Sequence, residues 1–329
     1  MLSVRYYLMN NDTMQQIKDN LEKNQIAIYF SVVMIAIALV FCLDNTSIFD
    51  MFINPALAFM LFVTFLQVPV TDIKQFWSYK LFMVALLITN FVIIPVGVGL
   101  LALFLPSVPL IKLGVLLVLL APCIDYVVTF SHLGRADARL LLMATPLLLL
   151  LQMCLLPVYL TFMIGEQVNQ LIHLQPFIHA FIWLMVIPFC LATIMQIWAV
   201  RSQTGKNMIH GLNMLPVPAT ALTLFIVILA VLPQLKGHFS VVLSVIPFYI
   251  IFAIVAPLVG WFVGRCFHVS VAGSRAIAFS AGTRNALVIL PLALAIPNAI
   301  PILPAIIVTQ TLIELISELV YVYVIAKLK

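Results

Sequence analysis

Long apolar segments, separated by short polar ones, recur along the whole chain. They predict ten membrane-spanning helices, at about residues 26–43, 51–70, 79–105, 110–131, 139–164, 177–200, 214–233, 240–264, 274–296 and 302–326. A helix needs about 18 or more apolar residues to cross roughly 30 Å of hydrocarbon, and runs of this kind recur here. Alternating segments of about ten residues, which are typical of a membrane β-barrel, do not occur. The pattern therefore indicates an all-α membrane protein.

The composition excludes several classes of protein. Hydrophobic residues make up 64% of the chain and charged residues 8%, whereas a soluble domain carries about 25% charged residues. The basic residues are spread over the loops, so we expect the lipid bilayer as a partner and no nucleic acid. The sequence has no nucleotide-binding loop, nucleophile–base pair or histidine pair with metal-ligand spacing. We expect no enzyme activity, cofactor or metal site.

The basic residues also predict the topology. With ten spans, one face of the membrane carries both termini and most of the Lys and Arg residues: Arg5, Lys18, Lys23, Lys74, Lys80, Arg135, Arg139, Arg201, Lys206, Arg265, Arg275, Lys327 and Lys329. The opposite face carries only Lys112 and Lys236. By the positive-inside rule, both termini are expected in the cytoplasm, with the protein in the inner membrane.

The two halves of the chain share features at offsets that all fall near 160–164 residues. Pro69 corresponds to Pro233, Pro95 to Pro257, and the break in span four to the break in span nine. Because each half holds five spans, the second copy is expected to lie inverted in the bilayer. We divide the chain into a cytoplasmic segment, a first repeat and a second repeat: residues 1–25, 26–165 and 166–329.

Spans four and nine carry helix-breaking residues at corresponding places. Pro122 interrupts span four, and Gly282 with Thr283 interrupts span nine. Backbone inside the hydrocarbon region must be hydrogen-bonded, so a break at that depth, next to polar residues, indicates that the backbone lines a cavity. We expect the two broken helices to cross near the middle of the bilayer.

Each break also carries a residue that is costly in lipid. Asp125 lies in span four, and Arg284 with Asn285 in span nine. A charge at the centre of a span costs about 2.5–3.5 kcal/mol on insertion scales, which favours a functional reason for keeping it. We expect Asp125 to pair with Arg284, with Asp125 in ion coupling and with Arg284 and Asn285 in substrate binding. A purely structural ion pair is the alternative.

Other candidates are a cysteine and two glutamates. Cys123 adjoins the Pro122 break, so we expect its thiol to be reachable from the cavity and to bind substrate, whereas Cys154 and Cys190 have the pattern of core residues. Glu314 and Glu318 lie one turn apart in the last span. Glu314 is a candidate coupling residue. For Glu318, the nearby Lys327 favours a position at the headgroups.

Two stretches carry a resemblance to a known family. Residues 116–160 and 279–297, which read LLVLLAPCIDYVVTFSHLGRADARLLLMATPLLLLLQMCLLPVYL and FSAGTRNALVILPLALAIP, are similar to the bile acid:sodium symporter superfamily. Within it they resemble the arsenical-resistance branch of arsenite efflux permeases. The resemblance covers nearly the whole chain. It implies a core domain that contains two crossed broken helices and a panel domain formed by the other helices.

The sequence departs from the sodium-coupled members at their ion ligands. Val127 and Val128 stand where those members have a Ser-Asn pair, and residues 280–285 read SAGTRN where they have Glu-x-Gly-x-Gln-Asn. Cys123 matches the cysteine of the arsenite permeases, but Val288 stands in place of their ninth-helix Glu. With these departures, the resemblance implies proton rather than sodium coupling.

Three functions remain open at this stage. The first is a secondary transporter that exports arsenite or a related metalloid or oxyanion against proton entry. The second is a symporter of small organic anions, with Arg284 binding a carboxylate through two hydrogen bonds. The third, of a different class, is a membrane sensor or receptor that transports nothing. The short loops and the lack of a soluble signalling domain argue against the third.

Overall fold

The computed structural model describes residues 16–43, 46–67, 79–124, 126–164, 179, 182–235, 239–294, 296 and 302–329. These residues are mostly helical and contain no β-strand. After helical residues 16–23, the described helices are α1 (Gln25–Cys42), α2 (Asp50–Phe65), α3 (Lys80–Ala102), α4 (Pro109–Leu119), α5 (Tyr126–Leu133), α6 (Ala138–Ile164), α7 (Ile187–Arg201), α8 (Gln203–Leu212), α9 (Pro216–Val231), α10 (Phe239–Cys266), α11 (Val271–Gly282), α12 (Ala286–Leu294) and α13 (Ile302–Val324).

Several of these helices are suited to crossing a membrane. Five are long and apolar enough: α1, α3, α6, α10 and α13 with its short C-terminal extension. The helices α8 and α9 qualify together, although they bend by 46° at the break between them. Large side chains such as Phe41 and Phe162, which are 83% and 91% exposed, cover the surface. The chain is therefore a multi-pass membrane protein, while the count of ten spans and the inverted repeat stay predictions.

The helices cluster into two spatial units. Unit 1 comprises Met1–Gln67 and Ile182–Pro233, and unit 2 comprises Val68–Phe181 and Gln234–Lys329. Each predicted half of the chain supplies its first two spans to unit 1 and its last three to unit 2. Each unit contains segments of both predicted repeats. The division into units therefore does not test whether the chain consists of two repeats.

Unit 1 is held together by apolar packing and a few polar side chains that bond to backbone. Phe65 of α2 meets Phe189 of α7 edge to face, with ring centroids 5.5 Å apart. The hydroxyl of Thr223 on α9 donates to Ala219 O at 2.9 Å and lies 3.3 Å from Ala56 O of α2. Residues 203–212, expected to lie in a loop, instead form α8, which begins with the side chain of Ser202 accepting the N–H of Gly205.

In unit 2, glycines on α10 allow α11 to approach closely. A Cβ at Gly260 would lie 2.6 Å from the Cβ of Ala281, and one at Gly264 would lie 2.9 Å from Ser274. Small residues at an interface let two helix backbones come together in a membrane, where burial of apolar surface gives no drive for association. This packing fixes the C-terminal end of α11, where the second helix break begins.

A wide turn in α3 adds a polar side chain to the same unit. Residues Thr89–Ile93 form one π-helical turn just before Pro95. Since Pro95 has no N–H, it cannot bond to the carbonyl of Phe91, and the hydroxyl of Tyr159 on α6 donates to that oxygen at 2.6 Å. Such turns occur frequently at functional sites. Here the turn carries the fully buried side chain of Asn90.

Candidate functional site

The two helix breaks pair with each other through their backbones. Residues 120–124 after α4 and residues 283–285 after α11 are not helical, and Pro122 and Arg284 form an isolated antiparallel bridge. The N–H of Cys123 donates to Thr283 O at 3.2 Å, and the N–H of Asn285 donates to Ala121 O at 2.8 Å. Each break thus satisfies backbone groups that the other leaves without a helical partner.

Arg284 lies at this crossing with no exposed surface. Its Nη2 donates to Ser280 O, Ala281 O and the side-chain oxygen of Asn90, at 2.7, 2.6 and 3.0 Å. Its Nη1 lies 3.4 Å from Leu119 O, and the guanidinium stands 5.4 Å from the ring centroid of Phe252. These partners are neutral oxygens and an aromatic face. Among the described residues, no carboxylate lies within 4 Å of the guanidinium nitrogens.

Glu314 of α13 binds the ninth-span break through its backbone. Its Oε2 accepts the N–H of Arg284 at 2.8 Å and a hydrogen bond from the side-chain amide of Gln310. Its Oε1 accepts the hydroxyl of Tyr126, at 2.5 Å, from the first turn of α5. The carboxylate therefore links α13 to both broken helices, and its charge offsets that of Arg284 over a longer distance than an ion pair.

Glu318, one turn further along α13, is also fully buried. Its Oε1 is hydrogen-bonded to the hydroxyl of Thr283, which also lies 2.7 Å from Phe279 O. Its Oε2 has no hydrogen-bond partner among the described residues. The expectation that Glu318 faces the headgroups is wrong, because the inward face of α13 continues past Glu314 to this residue.

Gly282, the last residue of α11, is needed for close contact with Tyr321 of α13. A Cβ at this position would lie 2.9 Å from Cε2 and 3.1 Å from the hydroxyl oxygen of Tyr321. The tyrosine has little freedom to move away, because its hydroxyl donates to Ala253 O at 2.5 Å and its ring packs edge to face on Phe279.

The remaining predicted site residues have different outcomes. Asn285 is buried, and its side-chain nitrogen has no partner among the described residues. Asp125, and with it the predicted pair with Arg284, lies outside the described residues. Cys123 lies at the crossing but has no exposed surface, so its thiol is not open to solvent in this conformation. Cys154 and Cys190 are exposed, so their interpretation as core residues is wrong.

Sequence reasoning missed several residues of this site, among them Asn90, Tyr126, Ser280 and Gln310. Ser280 accepts a hydrogen bond from the side chain of Asn90 at 3.0 Å, and Tyr126 bonds to Glu314. One signal was available for Asn90. A side-chain amide in an apolar span, five residues before Pro95, indicates backbone that needs a polar partner.

The comparisons with known proteins identify a transporter family. The model of the sodium bile acid symporter family matches residues 54–239, which is more than half of the chain. No curated protein matches the chain. The matched segment includes the fourth-span break but ends before Arg284, so the residues of the second break are outside it.

Proposed function

This chain belongs to the sodium bile acid symporter family, whose members are transporters, and we propose that it exports arsenite or a related small metalloid in exchange for protons. Membership of this family supports the general part of the proposal, which is transport of a small solute across a lipid bilayer. The branch, the substrate, the direction and the coupling ion are the proposal. So is the placement in the inner membrane with both termini in the cytoplasm.

The guanidinium of Arg284 supports proton rather than sodium coupling, and it is the observation that carries the proposal. A sodium ion is held by oxygen ligands. At this break, the oxygens of Asn90, Ser280 and Ala281 are already bonded to a fixed cation. A second cation there would meet a like charge in a medium of low dielectric constant. Buried carboxyl groups adjoin the same break, and a carboxyl group can take up a proton.

The thiol of Cys123 supports the proposal that the substrate is arsenite or a related metalloid. A thiolate is a soft ligand and suits a thiophilic trivalent centre. Of the five cysteines, all of which lie in the described part of the chain, Cys123 alone is buried. Its backbone N–H is bonded to the opposite break. In the proposed cycle the two breaks separate to open a path to the thiol.

A small organic anion is the second candidate substrate, because the family is named after bile acid, which is an organic anion. For this substrate, a carboxylate would bind the guanidinium of Arg284 through two parallel hydrogen bonds. Both terminal nitrogens of that guanidinium already donate to protein oxygens, whereas Nε has no partner in the described part of the chain. A carboxylate would thus have to displace existing partners, which favours the metalloid.

Transport by the purified protein in liposomes tests the proposal. Arsenite and a panel of organic anions are compared under an imposed proton or sodium gradient. We expect arsenite movement that follows the pH gradient and ignores sodium. Cys123→Ala should abolish it, whereas Cys154→Ala, which alters an exposed cysteine, should not. Sodium-driven movement of organic anions would contradict both the substrate and the argument from Arg284, and no movement of any solute would favour a sensor.

A further inference from the structure

Two buried glutamates of α13 adjoin the same helix break but have different sets of partners. Within the described part of the chain, Glu314 accepts three hydrogen bonds, whereas Glu318 has one, with the hydroxyl of Thr283. We propose that Glu318 carries the coupling proton and that Thr283 is its partner in both protonation states, while Glu314 remains a carboxylate. This inference rests on the proton coupling of the proposed function and assigns the proton to one residue.

The partners of Glu314 suit the ionised form. An ionised carboxylate only accepts hydrogen bonds, and a protonated one must also donate. The three groups that face Glu314 are the N–H of Arg284, the side-chain amide of Gln310 and the hydroxyl of Tyr126. The first is a backbone donor that cannot become an acceptor. Hydrogen bonds to a charged group are stronger than those between neutral groups, so this set stabilises the anion.

The surroundings of Glu318 suit a neutral carboxyl group better. The side chain has no exposed surface, and its Oε2 has no hydrogen-bond partner in the described part of the chain. A buried charge is costly unless it is paired and well hydrogen-bonded. One hydroxyl is a poor substitute for water around a carboxylate. A proton on Glu318 removes the charge and leaves a donor that needs only one acceptor.

Thr283 can serve both states without moving its backbone. When Glu318 is ionised, the threonine hydroxyl donates to the carboxylate. When Glu318 is protonated, the carboxyl group donates to Oγ1, and the hydroxyl turns to Phe279 O, 2.7 Å away. That carbonyl also accepts the N–H of Thr283 at 3.0 Å, so it has a partner in either state. Rotation about one bond therefore follows the proton.

The charges around Glu318 make its protonation state matter to the crossing. Among the described residues, the ionisable groups that interact with it or share its surroundings include Glu314 and Tyr321 on α13 and Arg284 on the break. The charges of Arg284 and Glu314 offset each other, so loss of the proton from Glu318 adds one uncompensated negative charge. The carbonyl of Thr283 accepts the N–H of Cys123, so the change reaches the residue proposed to bind the substrate.

Infrared spectroscopy of the reconstituted protein tests the protonation directly. We expect a C=O stretch from a protonated buried carboxyl group near neutral pH, lost in Glu318→Gln and retained in Glu314→Gln. Thr283→Val should shift this band, because the carboxyl group loses its acceptor. The matched control is Thr311→Val, since Thr311 is a buried threonine of α13 that bonds only to Ile307 O. Thr283→Ser, which keeps a hydroxyl, should restore the wild-type band.

Transport under a pH gradient then tests the coupling. Accumulation of arsenite driven by the gradient should be lost in Glu318→Gln and kept in Thr311→Val. A wild-type protein that ignores the gradient would overturn the proposed function together with this inference. Wild-type coupling that persists in Glu318→Gln, or an infrared band that persists in that variant, would overturn this inference and leave the proposed function standing.

Discussion

The two spatial units bury different kinds of polar group. The described residues of unit 1 bury threonines and one glutamine but no charged side chain, whereas those of unit 2 bury Arg284, Glu314 and Glu318. In unit 1 the hydroxyl of Thr223 bonds only to backbone, while in unit 2 the polar side chains bond to one another across helices. Because buried charge is costly in a membrane, we expect the chemistry of this protein to reside in unit 2.

The largest expected effect is that of Arg284→Gln. Loss of this buried cation leaves Asn90 and three backbone carbonyls without their charged donor. Breaking a buried charge arrangement costs about 3–5 kcal/mol, so we expect a large fall in the melting temperature in detergent and no transport in liposomes. The control is Arg201→Gln, an exposed arginine at the end of α7 in unit 1. An equal loss in both variants would remove the distinction between the units.

Asn90→Leu is expected to have the next largest effect. The side chain accepts a bond from Arg284 and donates to Ser280, so the apolar substitution removes a hydrogen bond to a charged group, worth about 1.5–3 kcal/mol. We expect lower thermal stability and slower transport. Its neighbour Thr89 is equally buried but donates only to Ala85 O. If Thr89→Val lowers transport as much as Asn90→Leu, the contact with Arg284 is not what matters.

The helix breaks could be predicted from the sequence because their cause is local. Pro122 lacks the N–H that a helix would use and disfavours its continuation, and a glycine followed by polar residues inside an apolar run indicates backbone away from lipid. The same argument located Arg284 and Cys123, and the structure brings the two breaks together. The family model matches residues 54–239 and does not reach the second break. The prediction of that break therefore rests on its own residues.

The partners of Arg284 could not be predicted, because they depend on which faces of distant helices turn inward. Asp125 was the expected partner since it lies in the corresponding break. Asp125 lies outside the described residues, so this pair stays a prediction. Among the described residues, the side chain of Asn90 reaches the guanidinium and Glu314 binds the backbone of this break. Gln310 lies four residues before Glu314 and extends the pair of Glu314 and Glu318 on one face of α13, a signal that sequence reasoning did not use. The prediction that Cys154 and Cys190 are core residues was wrong for another reason. Lipid and protein core are both apolar, so an apolar run does not show which of the two a side chain faces.

Gly282→Ala is expected to have an intermediate effect. The added methyl group would lie 2.9 Å from the ring of Tyr321, which is held by its hydrogen bond to Ala253 O. Overpacking of this kind costs about 1–3 kcal/mol, measured as a lower melting temperature.

The control for this prediction is Gly97→Ala on α3, where nothing lies within 4 Å of the added Cβ. That substitution should be neutral or stabilising by up to about 1 kcal/mol, because alanine is the better helix former. Shortening the clashing side chain in Gly282→Ala/Tyr321→Leu should recover part of the loss. If the two single effects simply add, the contact between Gly282 and Tyr321 is not the cause.

The smallest expected effect is that of Thr223→Val in unit 1. The hydroxyl of Thr223 donates to Ala219 O, which is four residues earlier in α9 and within reach of the helical N–H of the same residue. Its removal therefore leaves Ala219 O with a helical donor, and the cost should be about 0.5–1.5 kcal/mol, the net value of one neutral hydrogen bond. We expect a small fall in melting temperature and transport that still follows the pH gradient. Thr283→Val removes the same group in unit 2 but takes the one hydrogen-bond partner that Glu318 has among the described residues, so it should impair coupling as well as stability. Measuring both variants in the same liposomes compares the units with one chemical change. If Thr223→Val uncouples transport while Thr283→Val does not, the chemistry of this protein does not reside in the buried charges of unit 2.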